Sequence, residues 1–81
     1  MATSVEDIRA WLLRGVEQKS THVIIAVDTW DYEDYPVYVS ATENVHEKVN
    51  SYNSKEDRIK EVYSLAMDLE EQLLQRRVWN V

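Results

Sequence analysis

The sequence predicts an α+β fold of order α-β-β-α-α, in which a two-stranded antiparallel hairpin packs on the first and third helices. Three observations carry that expectation. Residues 21–29 and 35–40 are two runs rich in β-branched and aromatic residues, separated by a short acidic stretch. Apolar residues recur at helical spacing on either side of the pair. The 81 residues include one Gly, one Pro and no low-complexity tract, and 44% are hydrophobic, which is the composition of one folded domain.

The first helix is expected over residues 4–18. Thr3 and Ser4 are good N-caps, with Glu6 and Asp7 three residues after each. Val5, Ile8, Trp11, Leu12 and Val16 form its apolar stripe, and Gly15 weakens its last turns. Pro36 sits near the start of the second strand, where a missing N–H is tolerated most easily on an edge. Val23, Ile25 and Val27 make one apolar face, which Val37 and Val39 are expected to join. The other face is mixed and would gather His22, Asp28, Trp30 and Tyr38 towards a partner or ligand. Val45, Val49 and Tyr52 mark a short second helix. Ile59, Val62, Ala66, Leu69 and Leu73 advance by three and four, which predicts a third helix over residues 55–77. Asn53 or Ser54 would cap it, Glu56 and Asp57 would fill its first turn, and Arg76 and Arg77 would meet its C-terminal dipole.

A lone two-stranded ribbon is marginal in water, and a chain of this size has a small core, so completion of the sheet by homo-oligomerisation, as a dimer or higher, is expected. With no cysteine and only two histidines, neither a disulfide nor a structural zinc site is expected, and no cofactor motif is present. Fifteen acidic against nine basic residues give a net charge of −6, which opposes general binding to nucleic acid. There is no long apolar run and no secretory signal pattern at the start, so the expected location is cytoplasmic, without a membrane partner.

The densest polar cluster is Asp28-Thr29-Trp30-Asp31-Tyr32-Glu33-Asp34-Tyr35. Four carboxylates in eight residues could hold a divalent cation or divide acid–base work, but a hairpin turn also collects Asp for its geometry, and the spacing is not that of an EF-hand loop. His22 could contact a phosphate or serve as a structural hydrogen-bonding group. Trp30, Tyr32, Tyr35 and Tyr38 could stack on a planar ligand or anchor an interface. Arg58 and Arg77 could offer guanidinium forks to an anion, or remain solvated partners of the many carboxylates. The expected ligand-binding set is therefore His22, Asp28, Trp30, Tyr32, Tyr35, Tyr38, Arg58 and Arg77, with no catalytic and no metal-binding residue.

The segment Thr21-His22-Val23-Ile24-Ile25, followed by Asp28-Thr29-Trp30-Asp31-Tyr32-Glu33-Asp34-Tyr35-Pro36-Val37-Tyr38-Val39, resembles a family of short uncharacterised bacterial and phage proteins. Glu61-Val62-Tyr63-Ser64-Leu65 and Leu69-Glu70-Glu71-Gln72-Leu73 extend the likeness. Trp30 stands where that family more often has Phe, and the end of the chain lacks its aromatic richness. The resemblance implies an inhibitor of the phage anti-defence kind, acting in a host cytoplasm. From residues and resemblance together, the expected function is a non-catalytic, homo-oligomeric binding protein that sequesters a small ligand such as a nucleotide-derived immune signal. The alternatives are an acidic protein–protein inhibitor that covers a host surface, and a carboxylate-dependent enzyme using Asp28, Asp31 and Glu33.

Overall fold

The computed structural model of the chain describes residues 4–52, 57–75 and 78–81. Its elements are α1 (Val5–Glu17), β1 (His22–Asp28), β2 (Asp34–Val39), α2 (Val45–Tyr52), β3 (Asp57–Ser64) and α3 (Leu69–Leu74). The expected hairpin is the β1–β2 pair, but the sheet has a third antiparallel strand, in the order β2-β1-β3. The α+β class therefore stands, while the order α-β-β-α-α is corrected to α-β-β-α-β-α. The third helix expected over residues 55–77 is a strand, a turn and a six-residue helix. Of the residues expected to cap or end it, Asn53, Ser54, Glu56, Arg76 and Arg77 lie outside the described residues, as does Thr3.

The mistaken helix has a physical origin. The β1–β3 register slips between Ile25 and Ala26, because Ile25 faces Glu61 while Ala26 faces Ile59. Lys60 is thus an extra residue in β3, a bulge that moves the next same-face position from two residues on to three. Ile59 and Val62 consequently share a face at a spacing that otherwise signals a helix.

The sheet is covered on both sides, which is why β1 buries four residues in a row, Val23 to Ala26. Leu12 and Trp11 of α1, Leu69 and Leu73 of α3, and Val78 pack on Val23, Ile25 and Tyr63. On the other face, Val45, Val49 and Tyr52 from α2 pack with Ile24, Ala26, Val37, Val39, Ile59 and Val62. Two expectations about faces are corrected by the register. His22 opposes Val39 and Ile24 opposes Val37, so the β2 valines lie on the face of His22 and Ile24. Tyr38 opposes Val23 and lies on the opposite face from His22. The mixed face is covered by α2 of the same chain.

Helix α1 begins with a reciprocal cap, in which the Asp7 N–H donates to Ser4 Oγ and the Ser4 N–H to Asp7 Oδ2. It ends with Lys19 at φ 60°, the Lys19 N–H bonded to the Val16 carbonyl and the Ser20 N–H to that of Gly15, a Schellman closure with lysine where glycine is usual. Gly15 is present because α1 lies close on the sheet: a β-carbon there would stand 2.8 Å from Val23 Cγ2 and 3.0 Å from Leu65 Cδ1.

Both sheet edges are blunted. The Asp28 N–H bonds to the Glu33 carbonyl, and alternation along β2 then turns Tyr35, Val37 and Val39 towards β1 and leaves Pro36 facing outward, where no N–H is needed. On β3, the outward groups of Val62 bond to the Val78 carbonyl and the Asn80 N–H. Those of Ser64 are taken by one side chain, the amide of Gln72, which is 1% exposed. Its Oε1 accepts from the Ser64 N–H (2.9 Å) and from Asn80 Nδ2 (2.8 Å), while Nε2 donates to the carbonyls of Ser64 (2.8 Å) and Asp68 (3.2 Å). The amide thereby fills its two donor and two acceptor places and pairs with Ser64 as a further strand residue would.

Candidate functional site

The turn between β1 and β2 is organised by Asp28. Its Oδ1 accepts the Trp30 N–H at 2.8 Å, its carbonyl accepts the Tyr32 N–H at 2.7 Å, and its own N–H donates to the Glu33 carbonyl at 3.0 Å. An aspartate before a turn does this readily, since its short carboxylate reaches the backbone two residues on. Tyr32 adopts φ 56°, a left-handed conformation that is uncommon for a bulky side chain. The braced turn holds Trp30 and Tyr32 outward, 77% and 71% exposed. Exposed Asp31 lies between them and exposed Glu33 follows. Asp34 is spoken for: its carboxylate, only 5% exposed, bonds to Lys60 Nζ at 3.0 Å.

The other expected residues lie elsewhere. Tyr35 packs on the α2 face and its hydroxyl donates to Asp57, the residue that opposes Asp28 across the sheet. Burial, and then the Asp57 carboxylate, push that hydroxyl up to about 12. Tyr38 packs under α1 with the Leu12 cluster. His22 stands at the far end of β1, about 20 Å from Asp28 at ~3.3 Å per strand residue. Thr21 Oγ1 donates to the Val39 carbonyl and lies 3.0 Å from His22 Nδ1, so it is placed to accept a hydrogen bond from a ring that carries its hydrogen on Nδ1. Burial, with His46 nearby, lowers the His22 pKa, which favours the neutral ring over the imidazolium. Arg58 is exposed on β3 opposite Val27, and Arg77 lies outside the described residues. The structure therefore brings Asp28, Trp30 and Tyr32 together in the turn, leaves Tyr35 and Arg58 at the same end of the sheet on β2 and β3, and puts His22 and Tyr38 at the other end.

Among the described residues, no group of three or more His, Asp or Glu side chains is placed to hold a metal ion, and no helix is long and apolar enough to cross a membrane. An open groove of about 490 Å³ runs along the start of α2, lined by Thr42, Glu43, Asn44, Glu47, Lys48 and Ser51. None of the expected ligand residues lines it, and its central charges, Glu43 and Lys48, are paired with each other.

Two polar positions were not anticipated. Lys60 reaches across β1 to Asp34 because the bulge re-aims it. Asp57, expected in a helix, serves as the acceptor for Tyr35 because it belongs to β3. Neither carries a signal in the sequence once residues 55–77 are read as a helix. Comparison of the chain with protein-family models, with curated proteins and with solved structures finds no match.

Proposed function

We propose that the protein is a non-catalytic binding protein that acts by covering a surface of a basic macromolecular partner, with the β1–β2 turn as its anchor. The observation behind this reading is the exposure of Trp30 and Tyr32 on a turn held by three hydrogen bonds. Large aromatics anchor interfaces, and an ordered loop loses little freedom on binding. The net charge of −6 and the lack of any Lys or Arg between Asp28 and Asp34 favour a basic partner. The resemblance to short phage-type proteins points to the same inhibitory class.

A small-ligand pocket has less behind it, since His22, Trp30 and Tyr38 occupy three separate surfaces. A carboxylate-dependent enzyme also has less support, because Asp28 is engaged in bracing the turn.

Immobilised protein should retain a partner from a bacterial lysate at low salt and release it as salt rises, because exposed charges are screened within about 10 Å at ~0.1 M ionic strength. The doubly substituted protein, Trp30→Ala with Tyr32→Ala, should retain far less. Absence of any captured partner at low salt, or equal capture by the double variant, overturns this reading.

A further inference from the structure

The exposed surface of the turn has a chemistry specific enough to say what it would meet. Trp30 and Tyr32 present two aromatic side chains to solvent. Beside them, Asp31 and Glu33 are exposed, while Asp28 Oδ1 is used by the Trp30 N–H and Asp34 by Lys60. The surface thus offers aromatic faces and carboxylates within one short segment that carries no positive charge of its own.

Resting on the reading of the turn as a protein-binding anchor, we propose that its occupant is an arginine-presenting protein surface, with a guanidinium lying on the Trp30 or Tyr32 ring while donating to Asp31 or Glu33. A guanidinium is planar and weakly hydrated, so it can stack on a ring and still direct its N–H edge at a carboxylate. A lysine ammonium is a compact, strongly hydrated point charge that cannot do both from one position. A purely apolar groove would fit the aromatics but would have to desolvate the neighbouring carboxylates without compensation. The bracing by Asp28 fixes the backbone that carries the rings and carboxylates before the partner arrives.

The test uses the full chain, isotopically labelled, titrated at low salt with a short peptide of alternating arginine and glycine and with its lysine counterpart. The Trp30 indole and the amides of Asp31 to Glu33 should shift together, and the arginine peptide should bind about three-fold or more tightly than the lysine peptide, because only the guanidinium stacks on a ring while its N–H edge reaches a carboxylate. Trp30→Ala with Tyr32→Ala should abolish the arginine preference. Asp31→Asn with Glu33→Gln should weaken both peptides. Equal binding of the two peptides, shifts spread over the other acidic surfaces, or no shift in the turn at all overturns the arginine assignment. Should that happen while capture of a partner still depends on Trp30 and Tyr32, the binding reading survives without its arginine; loss of that dependence removes the binding reading itself.

Discussion

Gln72 and Asp28 do similar local work in two regions with opposite outcomes. Each uses one short polar side chain to satisfy backbone groups that the sheet leaves open. Gln72 is buried, closes the edge of β3 and ties α3 and the tail to it, leaving nothing outward. Asp28 closes a turn whose two largest side chains then stand in solvent. Polar satisfaction at the first place serves the core, and at the second it serves presentation. Stability and binding should therefore be separable by mutation.

The largest expected effect is at the closed region. Gln72→Ala takes the partner of the Ser64 N–H and one of the two partners of the Ser64 carbonyl, which keeps the Met67 N–H, and should lower unfolding free energy by about 1–3 kcal/mol in urea titration. A loss under ~0.5 kcal/mol, the range of ordinary surface substitutions, would break the contrast. Gly15→Ala comes next. The β-carbon meets Val23 Cγ2, a stiff branched group, so overpacking of roughly 1–3 kcal/mol should outweigh the better helix propensity of alanine, about 1 kcal/mol. A stabilised Gly15→Ala protein would mean that α1 can lift from the sheet without penalty.

Alkaline pH sharpens the comparison on the α2 face. The folded protein holds the Tyr35 hydroxyl up to about 12, against an ordinary value of 10.0, chiefly by burial. Burial also raises Tyr63. Both groups keep their protons in the folded chain above the pH at which the unfolded chain loses them. The contribution of Tyr35 is therefore complete below about pH 10 and is lost as pH rises through about 12, and that of Tyr63 starts to fall over the same rise. Unfolding midpoints measured across that window should fall, and Tyr35→Phe should flatten the fall.

The smallest effects on stability belong to the turn. Tyr32→Asn should be neutral to stabilising, by up to about 1 kcal/mol, because asparagine tolerates the left-handed conformation better than tyrosine. Trp30→Ala should move stability by no more than ~0.5 kcal/mol while removing most partner capture. If the Trp30→Ala protein unfolds early, the tryptophan is packing and the contrast with Gln72 collapses.

Much of the architecture was legible from the residues. The capping pattern at Ser4 and Asp7, the stripe of α1, the two strands of the hairpin and the short second helix follow local rules that the structure obeys. What was not legible is non-local. The bulge at Lys60 gave β3 a helical spacing, and only the pairing with β1 exposes it. The β1–β2 register depends on a turn whose residue count is set by Asp28 and by the conformation of Tyr32, so the matching of valines across the hairpin came out on the wrong face. Within the candidate site, the aromatic and acidic content of the turn was readable, whereas the placing of His22 and Tyr38 at the far end of the sheet required the fold. Gln72 carried no signal, since a lone glutamine in a helix reads as solvated.

The seal on β3 also has a timetable. Strand β3 is complete at Ser64, yet the groups that close its edge, on Gln72, Val78 and Asn80, lie 8 to 16 residues further along the chain. In a chain folding from the unfolded state, β3 can pair with β1 before α3 has formed and the tail has docked, and its outer edge is then uncovered. During that interval a neighbouring chain could add to the open edge of β3, and protection then depends on the bulge at Lys60. Gln72→Ala, which removes part of that cover, should accordingly raise the aggregated fraction on refolding at high protein concentration, relative to the unsubstituted chain refolded at the same concentration.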